Sequence, residues 1–179
     1  MDQSTSNHLR SVIRNVNDFP KKGIVFRDIT TLLQDKDAFT LVVDTFVEHY
    51  RNIPIDVVVG IESRGFIVGA ALAHRLGVGF VPIRKPGKLP AATLREEYTL
   101  EYGTDAIEIH ADALKKGSRV LIHDDLLATG GTIATACRLV ERLGATVTGI
   151  SFIIELTFLH GRAKLPGYEV ISLVQYDSE

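Results

Sequence analysis

The chain of 179 residues contains no tryptophan, one methionine and one cysteine. A single Cys137 excludes an internal disulfide framework and fits a reducing, cytoplasmic setting. It falls on the apolar face of a predicted helix, so a core thiol is expected rather than a nucleophile. The first residues, Met1 to Asn7, are polar and lack the apolar region of a signal peptide. No apolar run approaches the roughly 18–20 residues that a membrane-spanning helix needs. Charge of one sign is missing as well: the formal net charge is −2, and no basic stripe stands out. General attraction to nucleic acid or to an anionic membrane is therefore not expected. Repeats, linkers and low-complexity segments are absent. What remains is an ordinary globular composition, 45% hydrophobic and 23% charged, in a length that suits one domain burying about 70% of its unfolded surface.

The chain is organised around the stretch from Val120 to Thr132. Val120-Leu121-Ile122 has the continuous apolarity of a strand buried on both faces of a parallel sheet. Asp124 and Asp125 follow at its carboxyl end, then a loop of small residues, Ala128-Thr129-Gly130-Gly131-Thr132. Ile133, Ala136, Cys137, Val140 and Leu143 then recur at helical spacing. The loop thus stands at a helix N-terminus, where unpaired N–H groups and the helix dipole form an anion site. Glycines let the backbone approach a phosphate, and the two threonines add hydroxyl donors. The stretch has no lysine, so it is not a P-loop, and it lacks the Gly-x-Gly-x-x-Gly of a dinucleotide fold. Two carboxylates beside a phosphate make sense for a ligand that also presents hydroxyls, and a sugar phosphate does so. Without such a ligand, the same residues describe an N-capped helix following two solvated aspartates.

Other segments repeat the strand–loop–helix arrangement. Ile55 to Ile61 reads as a buried strand leading into Glu62-Ser63-Arg64-Gly65, followed by a helix to Gly77. Such loops meet at the carboxyl edge of an open sheet, where ligands bind. The planar fork of Arg64 can grip a diphosphate or make a surface ion pair. Val78 to Ile83 leads into Arg84-Lys85-Pro86-Gly87-Lys88, a ligand loop or a solvated basic turn. Thr93 to Glu108 reads as a polar hairpin, with strands through Leu100 and Tyr102 and through Ile107 and Ile109, joined near Gly103-Thr104. Its poor anchoring suggests a lid. Near the N-terminus, Leu9, Val12, Ile13 and Val16 form a helical stripe with Ser4 to Ser6 as candidate caps. Asp35 or Asp37 starts a strong amphipathic helix through Tyr50. Thr146 to Leu156 and Tyr168 to Val174 read as further strands, with a short turn or helix at 161–164.

Four of these segments, in order, resemble the motifs of the type I phosphoribosyltransferases, and in detail those of the adenine-specific members. They are the run from Gly23 to Ile29, the loop Glu62-Ser63-Arg64-Gly65, the run Arg84 to Pro90, and the stretch from Asp124 to Thr132. Leu100-Glu101-Tyr102-Gly103 matches the family's catalytic flap. His123 departs from the family, which usually has an aliphatic residue there; it is a candidate for tuning the charge beside Asp124. The resemblance implies an α/β fold of about five parallel strands flanked by helices. A small hood at about 1–34 and a flexible β-hairpin flap at about 94–109 complete a single domain over 1–179.

The resemblance also implies an activity: transfer of 5-phosphoribosyl from phosphoribosyl pyrophosphate (PRPP) to adenine, giving AMP and pyrophosphate, with Mg²⁺ bound mainly through PRPP. By the same resemblance Ala128, Thr129, Gly130, Gly131 and Thr132 hold the 5′-phosphate, with Asp124 and Asp125 on the ribose hydroxyls. Ser63, Arg64, Arg84, Lys85, Lys88 and Tyr102 meet the pyrophosphate. Val25, Phe26, Arg27 and Leu126 form the adenine pocket, Phe26 by stacking and the neighbouring backbone by reading the base edge. Glu101, Asp124, Asp125 and Arg64 are the candidate catalytic residues. A non-proline cis peptide at Glu62–Ser63 and a homodimer are also implied. The alternatives are a phosphoribosyltransferase for hypoxanthine, guanine or xanthine, a PRPP-binding regulator without catalysis, and an α/β module with no ligand. The Phe26-Arg27 hood argues against the first. Against the second, regulators usually append a DNA-binding domain, for which a chain of this length has no room. Three loops meeting at one sheet edge argue against the third.

Overall fold

The computed structural model describes residues 3–100 and 103–178. Five strands form one all-parallel sheet: β3 (Val57–Ile61), β4 (Gly79–Ile83), β7 (Arg119–Leu127), β8 (Thr146–Leu156) and β9 (Val170–Tyr176), in the order β4-β3-β7-β8-β9. β7 is central. Its residues alternate between two cores, with Val120 and Ile122 in one and Leu121 in the other, because successive side chains leave a strand on opposite faces. Both cores are dry, which is why this strand reads as an unbroken apolar run.

Helices α3 (Lys36–Tyr50) and α4 (Gly65–Leu76) cover one face. The Asp35 side chain caps α3 by accepting from the N–H groups of Asp37 and Ala38, and Val42, Phe46, Val68 and Leu72 are fully buried beneath. α5 (Gly131–Arg142) and an antiparallel hairpin, β5 (Thr93–Leu100) with β6 (Gly103–His110), cover the other face. A separate small sheet pairs β1 (Arg14–Asn17) with β2 (Val25–Asp28), flanked by α1 (Gln3–Val12) and α2 (Thr30–Gln34).

Several expectations are corrected. Val16 is not part of the first helix; α1 ends at Val12, and Val16 lies in β1 opposite Phe26. α1 begins at Gln3, so Ser4 to Ser6 lie inside its first turns rather than capping it. The aspartate pair does not follow the strand but lies within it, since β7 runs on to Leu127 and pairs there with Glu155 of β8. The hairpin register pairs Leu100 with Gly103, which puts its turn before Gly103-Thr104.

The hairpin is also not poorly anchored. Ile107 and Ile109 are fully buried in the core under α5, and Tyr98 is 8% exposed. Glu96 accepts from Arg138 and Arg142 of α5 at 2.9 and 2.5 Å. Sequence polarity concealed this because Glu96 pairs with α5 while only Arg95 and Glu97, paired with each other, face water. Replacing Ile109 with Ala is expected to cost about 2–5 kcal/mol by cavity formation in a packed core. Urea unfolding measures it, and a loss below about 1 kcal/mol would mean that the hairpin merely rests on the surface.

Candidate active site

Three loops come together at the carboxyl edge of the sheet, following β3, β4 and β7. They line a cavity of ≈ 350 Å³ whose wall includes Glu62, Ser63, Arg64, Lys85, Asp124, Asp125, Leu126 and Thr132. A smaller recess of ≈ 80 Å³ adjoins it, formed by Asp124 and Leu126 through Ile133. Asp124, Leu126 and Thr132 border both. The sequence-predicted phosphate loop and the predicted diphosphate loop therefore serve one continuous site.

The recess is built from main chain. Gly130 stands at the N-cap of α5 with φ +77°, a left-handed conformation that a side chain would strain. Gly131 and Thr132 open α5, where the first N–H groups have no intrahelical acceptor, and among the described residues Thr129 and Gly130 donate no backbone–backbone hydrogen bond outside helices and strands. A row of unpartnered N–H groups at the positive end of a helix is an anion receptor without a single cationic side chain.

Beside it, the carboxylate pair is crowded. The backbone N–H of Asp125 donates to Oδ1 of Asp124 at 2.9 Å. Burial, then the negative charge of Asp125, holds the Asp124 carboxyl well above the usual carboxylate range. Arg64, at the N-cap of α4, brings its Nε within 2.6 Å of Asp125 Oδ2. That ion pair leaves Oδ2 buried without an aligned hydrogen bond, an acceptor with capacity for a ligand hydroxyl. The Glu62–Ser63 peptide preceding Arg64 is cis, as the loop's resemblance implied.

The remaining cations are each held by a carboxylate. Lys88 Nζ donates to Glu62 Oε1 at 2.6 Å, and Arg84 bonds both Glu62 oxygens at 3.2 and 3.3 Å. The N–H of Lys85 donates to the same carboxylate at 3.0 Å. Burial works against this charge, but the bonds from Lys88, Lys85 and Arg84 outweigh it and hold the Glu62 carboxyl down at about 2. Lys85 Nζ donates to Tyr98 Oη at 3.2 Å and pairs with Asp105. Glu62, Tyr98 and Asp105 are thus residues of the site that carried no assigned role from sequence. Tyr98 and Asp105 stand directly opposite each other in the hairpin register.

The hood approaches through Phe26. Arg64 Cζ lies 5.1 Å from the centre of its ring, a cation–π distance, so the predicted stacking residue does face the diphosphate loop. Val25 and Arg27 share β2 with it. The Arg27 side chain turns away, donating to Asn15 Oδ1 at 2.7 Å and stacking 4.0 Å over Tyr176; only its backbone is left for base recognition. His123 is corrected as well. It is fully buried on the face opposite Asp124, with Nδ1 2.9 Å from Ser151 Oγ and its ring 5.5 Å from Phe46. Burial pushes its pKa down to about 3, so it is neutral and does not tune the charge at Asp124. Cys137 is a buried core thiol, pushed up to about 12 chiefly by burial. Glu101 and Tyr102 lie outside the described residues.

This fold and site define a class. A family model described as the phosphoribosyl transferase domain matches residues 28–171. The chain is 62% identical over 168 residues to the adenine phosphoribosyltransferase of Acaryochloris marina, covering 94% of this chain and 99% of that protein. It superposes with a TM-score of 0.92 on the adenine phosphoribosyltransferase of Thermoanaerobacter pseudethanolicus, at 55% identity over 95% of this chain and 99% of that one. The Saccharomyces cerevisiae enzyme, complexed with adenine and an imino-altritol bisphosphate, matches with a TM-score of 0.90 at 41% identity, covering 96% and 99% of the two chains. The chain belongs to the adenine phosphoribosyltransferase family.

Because the folded-state pKa of Glu62 is depressed, its ionised form stabilises the fold above its ordinary value of 4.5. That contribution is lost as pH falls from there toward about 2. Glu62→Gln is therefore expected to flatten the fall in Tm between about pH 6 and pH 3. Calorimetric melts across that range check it, and parallel Tm curves for parent and variant would exclude Glu62 as an anchor of the basic loop.

Proposed function

We infer that the chain carries out the reaction of its family: 5-phosphoribosyl passes from PRPP to adenine, and AMP and pyrophosphate are formed. One observation carries this reading. A lysine-free cradle of main-chain N–H groups borders a carboxylate pair, Asp125 buried and Asp124 half-buried, and both open onto a cavity bounded by Arg64 and Lys85. Phosphate, ribose and diphosphate each have chemically matched surroundings in that order.

The loop Ala128–Thr132 takes the 5′-phosphate. Hydrogen bonds to a charged group are each worth about 1.5–3 kcal/mol, so several suffice to fix it far from the reacting bond. Asp124 and Asp125 accept from the ribose hydroxyls. Displacement at the anomeric carbon develops oxocarbenium character, and this pair of acids lies where positive charge on the ring is stabilised. Arg64, Arg84, Lys85 and Lys88, with Ser63, meet the negative charge growing on the leaving pyrophosphate. Phe26, Leu126 and the backbone at Val25 and Arg27 hold the base. Tyr102 and Glu101 complete the set, with Glu101 as the acid or base toward the leaving group or purine.

Among the described residues, no group of three or more His, Cys, Asp or Glu side chains is arranged to hold a metal ion. Mg²⁺ is taken to arrive bound mainly through PRPP. When bound, Mg²⁺ neutralises charge on the diphosphate. Closure of the hairpin at about 94–109 over the site excludes water that would otherwise hydrolyse PRPP. We further infer a homodimer, a single domain with its hood at about 1–34, and a cytoplasmic setting. No helix among the described residues is long and apolar enough to cross a membrane.

An assay of AMP formation from adenine, PRPP and Mg²⁺ tests the reading directly, with hypoxanthine, guanine and xanthine as competing bases. Turnover confined to adenine is expected. In the same assay, Asp125→Asn is expected to lower kcat on the order of 10²-fold with little change in the urea midpoint; equal turnover in variant and parent would remove Asp125 from the chemistry. Lys88→Ala should raise the KM for PRPP several-fold and leave that for adenine unchanged. A rise in the adenine KM alone contradicts its placement at the pyrophosphate.

A further inference from the structure

The phosphate loop does not hold its own shape. Its outer side rests on a turn from elsewhere in the chain, Thr157 to Lys164, which follows β8 as two short 3₁₀ segments. The contact is backbone against backbone. A Cβ built on Gly130 would stand 2.4 Å from the carbonyl oxygen of Gly161. A Cβ built on Gly161 would stand 2.2 Å from the carbonyl oxygen of Ala128 and 3.1 Å from the N of Gly130. Neither position admits any side chain unless one of the two backbones moves. The loop conformation and the turn position therefore determine each other.

The turn is in turn fixed by one ion pair. Arg162 donates through Nε and Nη2 to the two oxygens of Glu155 at 2.6 and 2.8 Å, and through Nη1 to the carbonyl of Val170 at 2.8 Å. The Glu155 side chain is 5% exposed and also accepts from Ser172 Oγ at 2.6 Å. Burial opposes its charge, and the bonds from Arg162 and Ser172 outweigh that opposition and hold the carboxyl below its ordinary range. Glu155 lies opposite Leu127 in the β7–β8 register, at the point where β7 hands over to the loop. The bidentate fork is rigid in a plane, so it positions Gly161 against Ala128 and Gly130 with little freedom.

We propose that Gly161, held by the Arg162–Glu155 pair, is a positioning element for the 5′-phosphate loop: it keeps the N–H groups of Thr129 to Thr132 aimed into the recess. This rests on the reading of that loop as the phosphate receptor. None of the three residues reaches the adenine side of the site, so their effect is confined to the phosphate end. The Arg162 side chain is 42% exposed, so shortening its polar head opens no core cavity.

The test uses Arg162→Met, which keeps the alkyl stem and loses the fork, alongside Gly161→Ala. Each variant is read by Tm, by steady-state KM for PRPP and for adenine, and by calorimetry with ribose 5-phosphate. The expected result is a rise of about tenfold in the KM for PRPP and in the Kd for ribose 5-phosphate, with the adenine KM within about twofold. Calorimetry reads the loop by itself, so it tests the positioning role even in a chain inactive on adenine and PRPP. Should Gly161→Ala not fold, Arg162→Met carries the test. Unchanged ribose 5-phosphate binding in folded Arg162→Met overturns the proposal, and so does an equal rise in both KM values with a lowered Tm, which marks a merely structural role.

Discussion

Two carboxylates side by side on the central strand set the charge problem that the rest of the site answers. Asp124 and Asp125 cannot both carry full charge side by side at no cost, and burial with the charge of Asp125 holds the Asp124 carboxyl well above the usual carboxylate range. Placing the phosphate receptor next to them rules out a receptor that depends on lysines, since a lysine there would pair with the acids instead of the ligand. The fold uses main-chain N–H groups at the start of α5 in their place. These donors are fixed in direction by the backbone and cannot swing toward a neighbouring carboxylate. Cationic side chains are confined to the other end of the cavity, on the loops after β3 and β4.

The same logic explains why the sheet is parallel and doubly covered. All three loops must leave from carboxyl ends of strands to share one edge, and only parallel strands deliver this. Covering both faces then requires α3 and α4 on one side and α5 with the β5–β6 hairpin on the other. The hairpin's buried base gives Tyr98 and Asp105 a fixed position beside Lys85. Thus the hairpin is joined to the basic loop by specific contacts at Tyr98 and Asp105.

Much of this is legible in the sequence because it is local. The continuous apolar run of β7, the small-residue loop and the helical spacing after it are contiguous, so the recess at the start of α5 follows from the single segment Val120 to Leu143. The loop around Ser63 and the basic run after β4 are likewise contiguous. What stayed hidden depends on pairing between distant segments. Glu62 is one acid among 22 Asp and Glu residues until β3 and β4 are set side by side, when it meets Arg84, Lys88 and the N–H of Lys85. Gly161 looks like an ordinary turn glycine until β8 carries it behind Gly130. His123 looks like a charge beside Asp124 until strand alternation sends it to the face opposite that residue, neutral against Ser151 and Phe46.

The carboxylate partners of the cations bear on catalysis rather than on affinity alone. Arg64 pairs with Asp125, Arg84 and Lys88 with Glu62, and Lys85 with Asp105. On the proposed assignment of these cations, a diphosphate arriving here exchanges one anion for another, so its net gain in the ground state is smaller than four unpaired cations would give. As the bond to the anomeric carbon breaks, charge accumulates on the diphosphate but not on Glu62 or Asp105. The cations' preference then shifts toward the leaving group. An interaction that strengthens only as the reaction proceeds lowers the barrier, whereas uniformly tight binding does not. The internal carboxylates also offer the cations a partner once pyrophosphate departs, which lowers the cost of product release. Charge that competes with the substrate at rest is therefore compatible with a site built to transfer it.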